Sequence, residues 1–71
     1  MVELKNIGEV IAKERRARKI TQKELAKELC VAISTLSLYE IGRRIVPVDV
    51  FIRFCVLMGL NAEDFIEKGE Q

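Results

Sequence analysis

Ser34 and Ser37 stand about one helical turn apart between the hydrocarbons Ile33 and Leu38, with Gln22 and Lys23 upstream and Arg43 and Arg44 downstream. Hydroxyl, amide, ammonium and guanidinium groups at such spacing can donate hydrogen bonds and neutralise an anion. Catalysis is excluded by inventory. The chain has no His, so neither Cys30 nor Cys55 has an imidazole to pair with, and carboxylates cluster only in the tail at Glu63, Asp64, Glu67 and Glu70. There is no Gly-rich loop to cradle a phosphate. A zinc site fails for the same shortage of ligands. The sequence predicts no enzyme, no metal and no cofactor.

The elements that must position these groups share a chain of 71 residues. That length accommodates one domain, expected over 1–71, and its apolar side chains must all serve one core. Net charge is only +1, but the balance conceals a division. Residues up to Arg53 carry eleven Lys or Arg against seven Asp or Glu, while from Phe54 onward Lys68 faces four carboxylates. The densest positive run is Lys13, Arg15, Arg16, Arg18, Lys19 and Lys23. Such a run is by itself a solvated face and acquires weight only beside a motif. No segment approaches the roughly 20 apolar residues of a membrane span, and no basic-then-apolar leader opens the chain. A cytoplasmic protein is expected, with Cys30 and Cys55 as small buried hydrophobes in a reducing compartment.

Hydrophobic periodicity predicts the helices. Leu4, Ile7, Val10 and Ile11 recur at three and four residues, giving a first helix from about Glu3 to Arg18. Lys19 then occupies a place where a left-handed Gly would be favoured. Thr21 and Glu24 form a T-x-x-E capping box, with Ile20 as its hydrophobic staple on Leu25, and open a second helix ending near Leu29. Cys30 and Val31 make the corner, and a third helix runs from about Ala32 to Tyr39. At 3.6 residues per turn Leu36 and Tyr39 face inward, and Ile33, Ser34, Ser37 and Leu38 face outward. A second helix held on a first by a tight turn, with one face open, can enter a DNA major groove. Pro47 precedes a fourth helix from Val48 to Met58, which Gly59 stops. Asn61 can cap a short fifth, with Phe65 and Ile66 packing back. The expected fold is all-α, a compact five-helix bundle with its helix-turn-helix at about 21–40.

Thr21, Gln22, Glu24, Leu25, Ala26, Leu29, Val31, Leu36, Ser37, Tyr39, Glu40, Gly42, Arg43, Arg44 and Pro47 together resemble the phage repressor/Cro-type helix-turn-helix family. The likeness extends to Ile7 and Gly8 before this stretch and to Val48, Asp49, Gly59, Leu60, Asp64 and Phe65 after it. The resemblance implies a lambda-repressor-like domain that binds double-stranded DNA. It places Ile33, Ser34, Ser37 and Leu38 at base-reading positions. It places Gln22 at a phosphate contact that also braces the third helix, with Lys23, Thr35, Arg43 and Arg44 as further phosphate partners. It pairs Arg15 with Glu40 as a structural ion pair, and it leaves Tyr39 between phosphate contact and packing.

Two departures from the family pattern concern the frame. Cys30 replaces the usual turn Gly, and Ala32 replaces the Ser or Thr that would cap the third helix, at a typical cost of about 1 kcal/mol. A third concerns chemistry, because Ile33 and Leu38 can touch thymine methyls or another protein but cannot hydrogen-bond base edges. A competing use follows: a protein-interaction module that retains the fold and docks a partner on the Ile33/Leu38 face. Apolar residues beyond the need of one buried face, with Val50, Val56, Leu57, Phe65 and Ile66 as candidates, point to a homodimer. Two recognition helices about 34 Å apart would read an inverted-repeat operator. The expected activity is that of a transcriptional regulator, a small repressor.

Overall fold

Among the described residues four turn the backbone left-handed, Lys19, Cys30, Gly42 and Gly59, with φ of 57°, 60°, 77° and 69°. Each ends a helix. In the computed structural model, which describes residues 2–4 and 6–68 and the side chains of 6–65, the helices are α1 (Ile7–Ala17), α2 (Gln22–Leu29), α3 (Ile33–Glu40) and α4 (Val48–Met58). The same pair of backbone bonds closes all four ends. The amide of the left-handed residue donates three residues back and the next amide donates five back, as in Lys19 to Arg16 with Ile20 to Arg15, and Cys30 to Lys27 with Val31 to Ala26. This is the Schellman arrangement, which satisfies carbonyls the helix leaves open.

Gly takes the left-handed conformation without steric cost, whereas a side chain at Lys19 or Cys30 strains it. Cys30→Gly is therefore expected to raise stability by about 0.5–1 kcal/mol, the relieved strain less the entropy of a freer unfolded chain. A urea midpoint that stays put or falls would show that Cys30 is unstrained. The thiol of Cys30 is exposed, a correction to the expected pair of buried cysteines; Cys55 is buried, and both are free. Desolvation raises the Cys55 thiol pKa.

The capping box forms as the sequence requires. Thr21 Oγ1 accepts from the Glu24 amide at 3.1 Å and Glu24 Oε1 accepts from the Thr21 amide at 2.9 Å. The Thr21 amide foremost, and then the Thr21 hydroxyl, which donates to Glu24 Oε1 at 3.1 Å, hold the Glu24 carboxyl below its ordinary pKa. Ala32 occupies the N-cap of α3 with extended backbone and no side-chain bond, so that helix starts without a side-chain cap.

Ile11, Leu25, Leu29, Leu36, Phe51 and Phe54 are the fully buried heart of the core, one or two from each helix. α1 packs on α3, α2 on both α3 and α4, and α4 on the segment that follows it. The α1–α3 crossing is close because residue 8 is Gly: a Cβ built there falls on the Tyr39 carbonyl oxygen and lies 2.8 Å from the carbonyl carbon.

Both ends of the chain depart from expectation. A fifth α-helix does not form; Ala62–Phe65 is a single 3-10 turn. The Asn61 side chain does cap it, accepting from the Glu63 amide at 3.0 Å, and Asp64 donates to the Asn61 carbonyl with the tighter i to i+3 closure. The turn stops after one round because the next residues form a strand. Ile66–Lys68 (β2) pairs antiparallel with Val2–Leu4 (β1), Val2 opposite Lys68 and Leu4 opposite Ile66. That ladder also shortens the first helix, which begins at Ile7 rather than near Glu3, so Leu4 lies on a strand and not on the helical stripe. Among the described residues no helix is long and apolar enough to cross a membrane.

Candidate nucleic-acid interface

The outward face of α3 is built by what its inward face must bury. Leu36 and Tyr39 are in the core, which settles Tyr39 as a packing residue. The same rotation leaves Ser34 exposed and Ile33 46% exposed, while Thr35, Ser37 and Leu38 are partly covered. Two hydroxyls flanked by two hydrocarbons thus line one side of the helix. Such a strip can make single hydrogen bonds to base edges or phosphates and apolar contact with thymine methyls.

The orientation of α3 is fixed at its carboxyl end by Glu40. Arg15 clamps that carboxylate with two donors, Nε to Oε2 at 2.7 Å and Nη2 to Oε1 at 3.1 Å, and its Nη1 donates to the Ile20 carbonyl at 2.9 Å. The Glu40 side chain is only 3% exposed. The hydrogen bond to Glu40 raises the Arg15 pKa, against the opposing effect of burial. One ion pair therefore ties α1, the chain before α2, and the end of α3.

Gln22 joins the same carboxylate, its Nε2 donating to Glu40 Oε1 at 2.9 Å. Because a carboxylate only accepts, the amide nitrogen must face it. That nitrogen has a second proton, and Gln22 is the first residue of α2, where backbone amides also point outward. Gln22 is thus arranged both to brace α3 and to donate to an anion. Lys23 beside it is exposed.

Arg43 and Arg44 follow α3 in a loop whose path is set by Gly42. The Arg43 amide donates back to the Leu38 carbonyl at 2.9 Å and Gly42 to Tyr39 at 3.1 Å. Both arginines are exposed, and among the described residues neither forms an ion pair. The structure thus leaves exposed cations just beyond the outward strip of α3. Two other arginines hold the frame. Arg53 donates to the Leu29 carbonyl at 2.8 Å, tying the end of α2 to α4, and Arg18 donates to the Met58 carbonyl at 3.0 Å. A side chain reaching a backbone carbonyl 24 or 40 residues away leaves no periodic signal in the sequence.

The proposed dimer contacts fare differently. Val50 is 5% exposed and belongs to the core, so it is not available to a partner: at 200° from Val48 around the helix it turns to the interior. Phe65 is partly buried and stands edge-on to Phe51, ring centres 5.9 Å apart, which commits it to its own chain. Val56 and Leu57 are exposed on α4, and the Ile66 side chain lies outside the described residues. Among the described residues no group of three or more His, Cys, Asp and Glu is placed to hold a metal.

Comparison with known proteins agrees with this geometry. A family model described as helix-turn-helix matches residues 11–65. Among solved structures the chain is similar to the clp gene regulator ClgR of Corynebacterium glutamicum, with 26% identity and a TM-score of 0.77. The match covers 86% of this chain and 65% of that one, so the chain spans a little under two thirds of the neighbour's length. No curated protein matches the chain. With α2 and α3 locked through Glu40 and the α3 face open, the chain belongs to the Cro/C1-type helix-turn-helix family.

Proposed function

We propose that the chain is a sequence-specific repressor that binds double-stranded DNA as a cytoplasmic homodimer, each copy, residues 1–71, acting as one DNA-binding unit on half of an inverted repeat. The observation that carries this reading is the exposed strip on α3 beside exposed cations. Ser34 and Ile33 face solvent, and Arg43 and Arg44 follow on the loop fixed by Gly42. α3 enters the major groove, with Ser34 and Ser37 bonding bases or phosphates and Ile33 and Leu38 touching thymine methyls. Gln22, Lys23, Thr35, Arg43 and Arg44 hold the phosphates on either side. With no bidentate reader on the strip, specificity draws heavily on DNA shape.

Phosphate contact predicts a measurable salt law. Affinity for duplex DNA should fall linearly with salt on logarithmic axes, and Arg43→Ala should lower the slope by about 1 while weakening all sequences alike. The other use of the strip, docking of a protein, draws support from the exposure of Ile33. It predicts binding that Ile33→Ser abolishes and that salt hardly affects. Salt-independent binding with an unchanged Arg43→Ala variant would decide for it and against the DNA reading.

A further inference from the structure

The two ends of α3 are held in different ways. Glu40 anchors the carboxyl end through Arg15 and Gln22, whereas Ala32 offers the amino end no side-chain cap. The direction in which α3 sets out is therefore decided by the corner before it, where Cys30 is left-handed at φ 60° and ψ 40°. A side chain is strained in that conformation, so a locally easier backbone competes with it. Turning Cys30 out of it would swing Val31 and Ala32, and with them the start of α3.

The peptide between Leu29 and Cys30 is the plane from which that left-handed turn departs, and both of its polar groups are engaged. Its amide donates to the Lys27 carbonyl at 3.2 Å, and its carbonyl accepts from Arg53 Nη1 at 2.8 Å. Leu29 is 0% exposed, so water does not reach that carbonyl, and among the described residues no backbone amide does. A buried acceptor without a donor is costly, which makes the Arg53 bond a strong restraint on the plane. The other attachment of Arg53 is loose, with Nη2 3.9 Å from an Asp49 side chain that is 75% exposed. The short bond is the one to the corner.

We propose that Arg53 is a positioning residue for DNA reading: from α4 it fixes the peptide before Cys30, and so the direction of α3, as Arg15 fixes the far end of the helix through Glu40. The inference rests on the DNA reading of the α3 strip and makes its selectivity depend on a side chain that touches no DNA.

Arg53→Met, which keeps the aliphatic stem without the donor, and Arg53→Lys, which keeps the charge with a shorter reach, test this in the full chain. The probes are the duplex that the wild type enriches and a random duplex of equal length. Arg53→Met should bind the enriched duplex about tenfold more weakly and the random duplex within about twofold of wild type, with an unchanged salt slope. Arg53→Lys should fall between the two, whereas a phosphate contact would survive in it. Adding Cys30→Gly should recover most of the Arg53→Met loss, because Gly takes the left-handed turn without strain. Without DNA, the Cys30 and Val31 amides should exchange about tenfold faster in Arg53→Met, and by a smaller factor in Arg53→Lys, while Ile11 in α1 keeps its rate. Should Arg53→Met fail to fold, Arg53→Lys carries both measurements. Unchanged exchange at Cys30 and Val31, equal acceleration at Ile11, no recovery by Cys30→Gly, or equal weakening on both duplexes with a flatter salt slope overturns the proposal. A wild-type chain that ignores duplex DNA would defeat the DNA reading alone, since exchange at the corner judges Arg53 without DNA.

Discussion

Gly8→Ala is expected to lose about 3 kcal/mol or more of folding free energy, enough to lower the melting temperature by roughly 12–24 °C in a domain of this size. The sign makes this result informative. In a helix with room around it, Gly to Ala gains about 0.5–1 kcal/mol from reduced backbone freedom in the unfolded chain. Here the new methyl would coincide with the Tyr39 carbonyl, a backbone group that cannot rotate away. α1 would have to move off α3, disturbing the contact that places the reading strip. Gly42→Ala provides the contrast, because nothing lies within 4 Å of a Cβ there and the cost is limited to the left-handed φ of 77°, about 1 kcal/mol. Thermal melts followed by circular dichroism decide the matter. A Gly8→Ala protein that melts at or above the wild-type temperature would mean that α1 and α3 do not cross so closely.

Arg15→Met should cost about 3–5 kcal/mol, comparable to the whole stability expected of so small a domain. The substitution keeps much of the aliphatic bulk and removes the charge. It leaves the Glu40 carboxylate, 3% exposed, with Gln22 as its remaining side-chain donor. An uncompensated buried charge is far more expensive than a buried pair replaced as a unit. The double variant Arg15→Met with Glu40→Met is therefore expected to recover most of the loss, and a double-mutant cycle in urea measures the coupling. If Arg15→Met unfolds at a urea concentration close to wild type, Glu40 does not depend on Arg15. The double variant also frees Gln22 from bracing α3, so its DNA affinity should fall even where its stability is restored.

The parts of this fold that the sequence discloses are those governed by neighbours a few residues apart. Thr21 and Glu24 mark the start of α2, Leu25, Ala26 and Leu29 mark its buried face, and Gly59 marks the end of α4, each through local geometry that the structure reproduces. The lock between Arg15, Gln22 and Glu40 lies beyond local rules and was accessible only through resemblance to a known family. Periodicity misled at both ends. Leu4 continues the spacing of Ile7 and Ile11, yet pairing with residues 66–68 draws its backbone into a strand. Asn61 is a sound helix cap, but the same ladder claims the chain after one turn. Val50 shows a different limit: an excess of apolar residues on α4 is visible in the sequence, but which of them is left over depends on where α2 and the final turn pack. At the corner Cys30 stands in place of the usual turn Gly, and the structure holds it in the left-handed conformation that Gly would take without strain.

The central claim is that the strip Ile33, Ser34, Ser37 and Leu38 reads duplex DNA, and selection from random duplex with the wild-type chain and with Ser37→Ala tests it most directly. Ser37 is partly exposed on α3 and has no part in the Glu40 lock, so its removal alters the reading face without loosening the frame. The account predicts an enriched, roughly palindromic motif for the wild type and an altered preference within each half-site for Ser37→Ala, with comparable overall affinity. Failure to enrich any sequence, or an identical motif from both proteins, would contradict it.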